Sequence, residues 1–173
     1  MLMRYLFYCL ILVLSCGSFV TRGQSKADTV PPYRKYPQLP AFQVLSPDSS
    51  RSFNTYNIRK GKPSVLILFS PDCDHCEQLS AMLLDSSQAF RNVNLVMATP
   101  YMLKDIRAFI AKTGINKISH LVIGKDASFF FGNFFKTDTV PFIAVYDKNK
   151  QFVTTITRLK KIDELIAVLK TLE

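Results

Sequence analysis

The chain has 173 residues, 48% of them hydrophobic, and a net charge of +9. That length fits one ordinary domain with extensions, and that apolar content excludes wholesale disorder. The basic residues are scattered, with no block of five or six like charges, so a solvated basic surface is expected and a nucleic-acid partner is not.

Arg4 precedes an apolar run at residues 5–14 (YLFYCLILVL), and Ser15, Cys16, Gly17 and Ser18 follow it. That order reads as a secretory leader over residues 1–23. The run is shorter than the roughly 20 apolar residues that a membrane span needs. Two processing points compete. One follows Gly23, after Thr21 and Arg22. The other precedes Cys16, where VLSC resembles a bacterial lipoprotein box and would end the leader at residue 15 with a lipid on Cys16. Either way the protein is expected outside the cytoplasm, in the periplasm or cell envelope of a bacterium, with a possible membrane tether through the leader or that lipid. Residues 24–38 are polar and carry Pro31, Pro32 and Pro37, the composition of a semi-extended tether. The folded domain is expected over residues 39–173.

Within that domain, residues 41–46 (AFQVLS) and 53–58 read as two short strands, with a turn through Pro47 and Asp48 between them. Residues 65–69 (VLILF) form a continuous apolar run, the pattern of a strand buried on both faces. Leu79, Met82, Leu83 and Phe90 have helical spacing over residues 78–90. Residues 93–98 read as a second buried strand. Leu103, Ile106, Phe109 and Ile110 mark a helix that stops near Gly114. A short strand is expected at 120–123. Residues 129–135 (FFFGNFF) have no clear strand period, but Phe130 with Phe134 and Phe131 with Phe135 fit a turn of helix, and core packing is the simplest role for such a cluster. Residues 142–146 and 152–157 read as strands joined by a hairpin turn at 147–150. Residues 162–172 form an amphipathic helix with Leu165, Ile166, Val168 and Leu169 on or near its apolar face. Strands alternating with helices predict an α/β fold, and the last tight turn makes the sheet mixed.

Cys9 and Cys16 fall in the leader, so the domain's thiol chemistry rests on Cys73 and Cys76. They lie in FSPDCDHCEQL, after a buried strand and at the start of a helix. A disulfide across so short a gap closes almost no loop and adds little stability, which favours a redox couple over a staple. The amino end of a helix favours an anion and lowers the pKa of a thiol placed there. Cys73 is therefore expected as the exposed attacking thiolate, and Cys76, one turn further in, as the resolving thiol. His75, when protonated, would stabilise the thiolate, whereas Asp72 and Asp74 would oppose it by like-charge repulsion. The couple needs no cofactor beyond the reversible Cys73–Cys76 disulfide.

The lead-in GKPSVLILFSPDCDHC, together with TVPFIAVYD further on, resembles the thioredoxin superfamily and its exported TlpA/ResA-like branch. The resemblance spans residues 39–173. It implies a thioredoxin-like fold with an N-terminal hairpin and a central insertion, which the stretch 102–135 has room to supply. It implies a cis Pro141 facing the cysteine pair, with the Val140 backbone pairing with an extended substrate. It further implies protein thiol or disulfide substrates and an upstream electron donor or acceptor. This chain departs from the pattern in three places. It has no Trp, and Pro71 and Asp72 precede the first cysteine. Ile67 stands where thioredoxin has a buried acid, and Leu79 where ResA-like proteins have another. Glu77 or water is left to shuttle protons to Cys76.

Two other readings are weighed beside the oxidoreductase. The missing acid and Trp suit a non-catalytic binding or assembly module. A copper or zinc protein would need more ligands than one Cys pair and a histidine, since His75 sits between the cysteines and His120 is alone. No metal site is expected.

Overall fold

A computed structural model describes residues 30–172. The leader expected over residues 1–23, with Cys9, Cys16 and both processing points, lies outside the described residues.

The centre of the domain is β3 (Ser64–Leu68), and every one of its residues is buried. It has no polar alternation because both of its faces are covered. Val65 and Ile67 face one apolar cluster, whereas Leu66 and Leu68 face another. On one side β3 runs parallel to β4 (Asn94–Thr99), which runs parallel to β5 (Leu121–Lys125). On the other side it pairs antiparallel with β6 (Phe142–Tyr146), which pairs with β7 (Phe152–Ile156). An N-terminal hairpin of β1 (Gln43–Leu45) and β2 (Ser52–Asn54) completes the sheet, in the order β2-β1-β5-β4-β3-β6-β7. The sheet is mixed, as the tight final turn requires.

Three long helices cover the first face: α2 (Asp74–Asp85), α3 (Leu103–Thr113) and α5 (Ile162–Lys170). Their apolar stripes, Leu79 and Leu83, Ile106 and Phe109, Leu165 and Leu169, close over β3, β4 and β6. The second face is covered by two short helices, α1 (Pro32–Lys35) and α4 (Phe130–Phe135). The phenylalanine run thus does form a helical turn. Phe131 and Phe135 are buried, while Phe130 stacks on Phe42 with ring centroids 5.3 Å apart.

Three expected boundaries change. Residues 30–38, read as the end of a tether, are part of the fold. Pro32 starts α1 with a preset φ, and the Tyr33 ring packs against Phe135 at 5.4 Å and Phe152 at 5.0 Å. The second hairpin strand stops at Asn54 rather than Ile58. The Asn54 side chain accepts the Tyr56 N–H, and the Thr55 hydroxyl turns inward to donate to Pro40 O at 2.6 Å, so the chain leaves the sheet in a 3-10 turn. Helix α2 ends at Asp85, because the poor helix formers Ser86 and Ser87 follow, and Phe90 reaches the core from a separate 3-10 turn, Ser87–Phe90. Helix α3 stops where expected, with Gly114 in the left-handed conformation at φ 67°. Among the described residues, no helix is long and apolar enough to cross a membrane.

Candidate active site

The site is built at the carboxyl end of β3. The strand stays in the sheet through Phe69, whose N–H donates to Ala98 O at 3.2 Å. The chain then turns, and the Cys73 N–H donates back to Ser70 O at 3.3 Å. Cys73 is the N-cap of α2, in an extended conformation, and its carbonyl accepts the N–H groups of Cys76 at 2.9 Å and Glu77 at 3.1 Å. Its own side chain makes no capping bond, so the sulfur is left for other contacts. The Cys73 thiol is half-buried and donates weakly to the Val140 carbonyl, with Sγ and O 3.8 Å apart. The Val140–Pro141 peptide bond is cis, and β6 begins at the next residue. Thus the two segments that the resemblance links, 139 to 141 and the cysteine turn, meet in space.

Cys76 is on the inner face of α2 and is fully buried. It belongs to the same apolar cluster as Ile67, Phe69 and Leu79. Burial therefore pushes its thiol up to about 12 from the ordinary value of 9.0. A hydrogen bond from the Ser70 backbone pulls it down, while the adjacent Cys73 and the charge on Glu77 push it further up. Ile67 and Leu79, the two positions where a carboxylate was missing from the sequence pattern, help form the apolar wall around this sulfur.

The residues expected to tune the pair differ in their surroundings. Asp72, Asp74 and His75 are exposed. The Asp72 N–H donates to the Ser70 hydroxyl at 3.4 Å, and His75 Nδ1 lies 3.4 Å from Gln78 Oε1. Glu77 is half-buried and accepts from Lys112 Nζ at 2.6 Å, an ion pair that raises the lysine's pKa. Its carboxylate is therefore engaged by α3 rather than free beside Cys76. Ser70 and Lys112 are the residues that the sequence reading missed. Ser70 acts through its backbone and Lys112 is 36 residues from Cys76, so neither leaves a motif. Among the described residues, no group of three or more His, Cys, Asp or Glu side chains is placed to hold a metal ion, and His120 is exposed.

This sheet order, with a cysteine pair where a central strand passes into a helix and a cis-proline beside it, defines the thioredoxin-like fold. Solved structures share it. DsbF of Mycobacterium tuberculosis, in mixed oxidised and reduced forms, matches with a TM-score of 0.66 at 18% identity, over 76% of this chain and 95% of that one. A secreted disulfide oxidoreductase of the same organism, homologous to DsbE of E. coli, matches at 0.63 with 20% identity, over 76% and 96%. A reduced 2-Cys peroxiredoxin of Plasmodium vivax matches at 0.63 with 18% identity, over 78% and 93%. No protein-family model matches the sequence, and no curated protein matches it.

Proposed function

We propose that the protein is a thiol–disulfide oxidoreductase of the exported TlpA/ResA-like kind, exchanging disulfides with protein cysteines through Cys73 and Cys76. The observation that carries this reading is the unequal placement of the two thiols. One is reachable at a helix start beside the Val140 carbonyl, and the other is buried one turn below it. In the reducing direction, the Cys73 thiolate attacks one sulfur of a substrate disulfide and expels the other as a thiolate. Cys76 then loses its proton and attacks Cys73 Sγ, which releases the second substrate sulfur. The substrate gains two electrons, and the protein is left with a Cys73–Cys76 disulfide. A dithiol donor must reduce that bond before the next cycle. Running the steps backwards oxidises a substrate dithiol and requires an electron acceptor instead.

The Val140 backbone and Pro141 bound the approach to Cys73, so an extended substrate segment lies along them. The engaged Glu77 leaves water as the acceptor of the Cys76 proton. Location in the cell envelope is part of the same proposal. It is supported by the leader-like residues 1–23 and by the secreted character of the mycobacterial oxidoreductase. Insulin reduction by the domain in the presence of dithiothreitol tests the reading. Cys73→Ser should return the rate to background. Equal rates for the two proteins would leave the binding or assembly module as the better account.

A further inference from the structure

Large exposed apolar side chains are few among the described residues, yet three of them crowd the carboxyl end of the sheet beside the cysteine turn. Tyr101 and Met102 follow β4, and Phe129 follows β5; they are 40%, 60% and 59% exposed. Phe129 is a non-glycine residue at φ 54°, in the left-handed region that a bulky side chain rarely adopts. The chain accepts a strained backbone there and displays an aromatic ring in water, a combination typical of a binding site.

A groove of about 680 Å³ lies between Tyr101, Phe129 and the 136–140 segment. Tyr101 and Phe129 line one part of it, Ser70 reaches it from the cysteine turn, and Val140 closes the end nearest Cys73. Its floor stays open partly because α4 has Gly132 where any β-carbon would sit 3.2 Å from Thr137 O. The proposed thiol exchange at Cys73 supplies the groove's occupant. A substrate bonded to Cys73 Sγ, 3.8 Å from Val140 O, has to run past Val140. The groove lined by Tyr101 and Phe129 meets that path at Val140.

We infer that this groove selects substrates by the residue beside their reactive cysteine, and that it takes a polypeptide carrying an aromatic or large aliphatic side chain there. The inference rests on the proposed thiol exchange at Cys73. Phe129 is a specificity-determining residue in this scheme and takes no part in electron transfer. An aromatic contact of this kind is worth roughly a threefold to tenfold preference.

The test uses the reduced protein and two disulfide-linked peptide dimers that are identical except for Phe or Ser before the cysteine. Second-order rate constants for reduction of each dimer are compared by mass spectrometry. The expected result is a rate ratio of about three to ten in favour of the Phe peptide, falling toward one in Phe129→Asn. Asn tolerates the left-handed backbone, so the variant should keep or raise the thermal midpoint. Phe129→Leu, which keeps an apolar side chain, should retain most of the preference. A wild-type ratio near one, or a folded Phe129→Asn that keeps the full ratio, overturns the groove assignment and leaves thiol exchange standing. Failure of the wild type to react with either peptide overturns thiol exchange itself, and the groove assignment with it.

Discussion

Cys76 shows how a single residue's surroundings set a rate. Its sulfur sits among Ile67, Phe69 and Leu79, and Glu77, next to it in the chain, is paired with Lys112. Burial dominates and holds the thiol protonated at neutral pH, near a value of about 12. Only the deprotonated fraction can attack a mixed disulfide on Cys73. Below the thiol's pKa that fraction grows about tenfold per pH unit. A mixed disulfide trapped on Cys73 should therefore resolve about tenfold faster for each unit of pH between 7 and 10, as followed by quenched-flow mass spectrometry. A flat profile would mean that a base reaches Cys76, contrary to the arrangement described. Glu77 is the nearest candidate, and its ion pair with Lys112 makes a further contrast available. Lys112→Met frees the carboxylate and should shorten the lifetime of the mixed disulfide at pH 7.

At the scale of elements, the site depends on where strands and helices stop. Strand β3 delivers Cys73 at its carboxyl end, the turn through Ser70 reverses the chain, and α2 begins with Asp74, whose acidic side chain suits the positive end of the helix. Helix α2 is anchored below by Leu79 and Leu83, so the position of Cys76 is fixed by core packing rather than by the cysteine loop. At the other edge, the N-terminal hairpin pairs with β5 through Leu45 and Lys125, and Gly124 packs against Leu45. A β-carbon there would stand 2.1 Å from Leu45 O, a backbone atom that cannot move aside alone. Gly124→Ala should therefore push β1 away from β5 and destabilise the domain by about 1–3 kcal/mol in chemical denaturation, without altering the cysteine pair. An unchanged midpoint would show that the hairpin's contact with β5 contributes nothing.

The whole molecule is a sheet with an apolar cluster on each face, and the two clusters have different tasks. The cluster under α2, α3 and α5 includes Cys76, so the redox state of the pair is linked to the stability of the fold. In the reduced protein the Cys76 pKa is raised above its unfolded value of 9.0. A raised pKa means that the unfolded chain gives up its proton first. The contribution is then fully present below pH 9 and is lost as pH climbs toward about 12. The disulfide form has no thiol to titrate. The stability difference between oxidised and reduced protein should thus shift in favour of the oxidised form across pH 9–12, measured by urea titration of both forms at each pH. A constant difference would show that Cys76 is more solvated than its surroundings indicate.

Much of this was determined by the order of residues alone. The uniformly apolar 65–69 run, the periodic stripes of α3 and α5, and the tight turn after Tyr146 act locally, through hydrogen-bond geometry and side-chain period, so they are readable without a fold. The cysteine pair is legible for the same reason, since both its sulfurs and its helix lie within one short stretch. What the tertiary structure alone decided are contacts between distant segments. Tyr33 is drawn out of an apparent tether because rings 102 and 119 residues further on leave a place for it. Glu77 is occupied by a lysine on another helix, and Cys76 is desolvated by Ile67 and Leu79 together. Burial and charge pairing are properties of neighbours in space, and a linear pattern carries no record of which neighbours those will be.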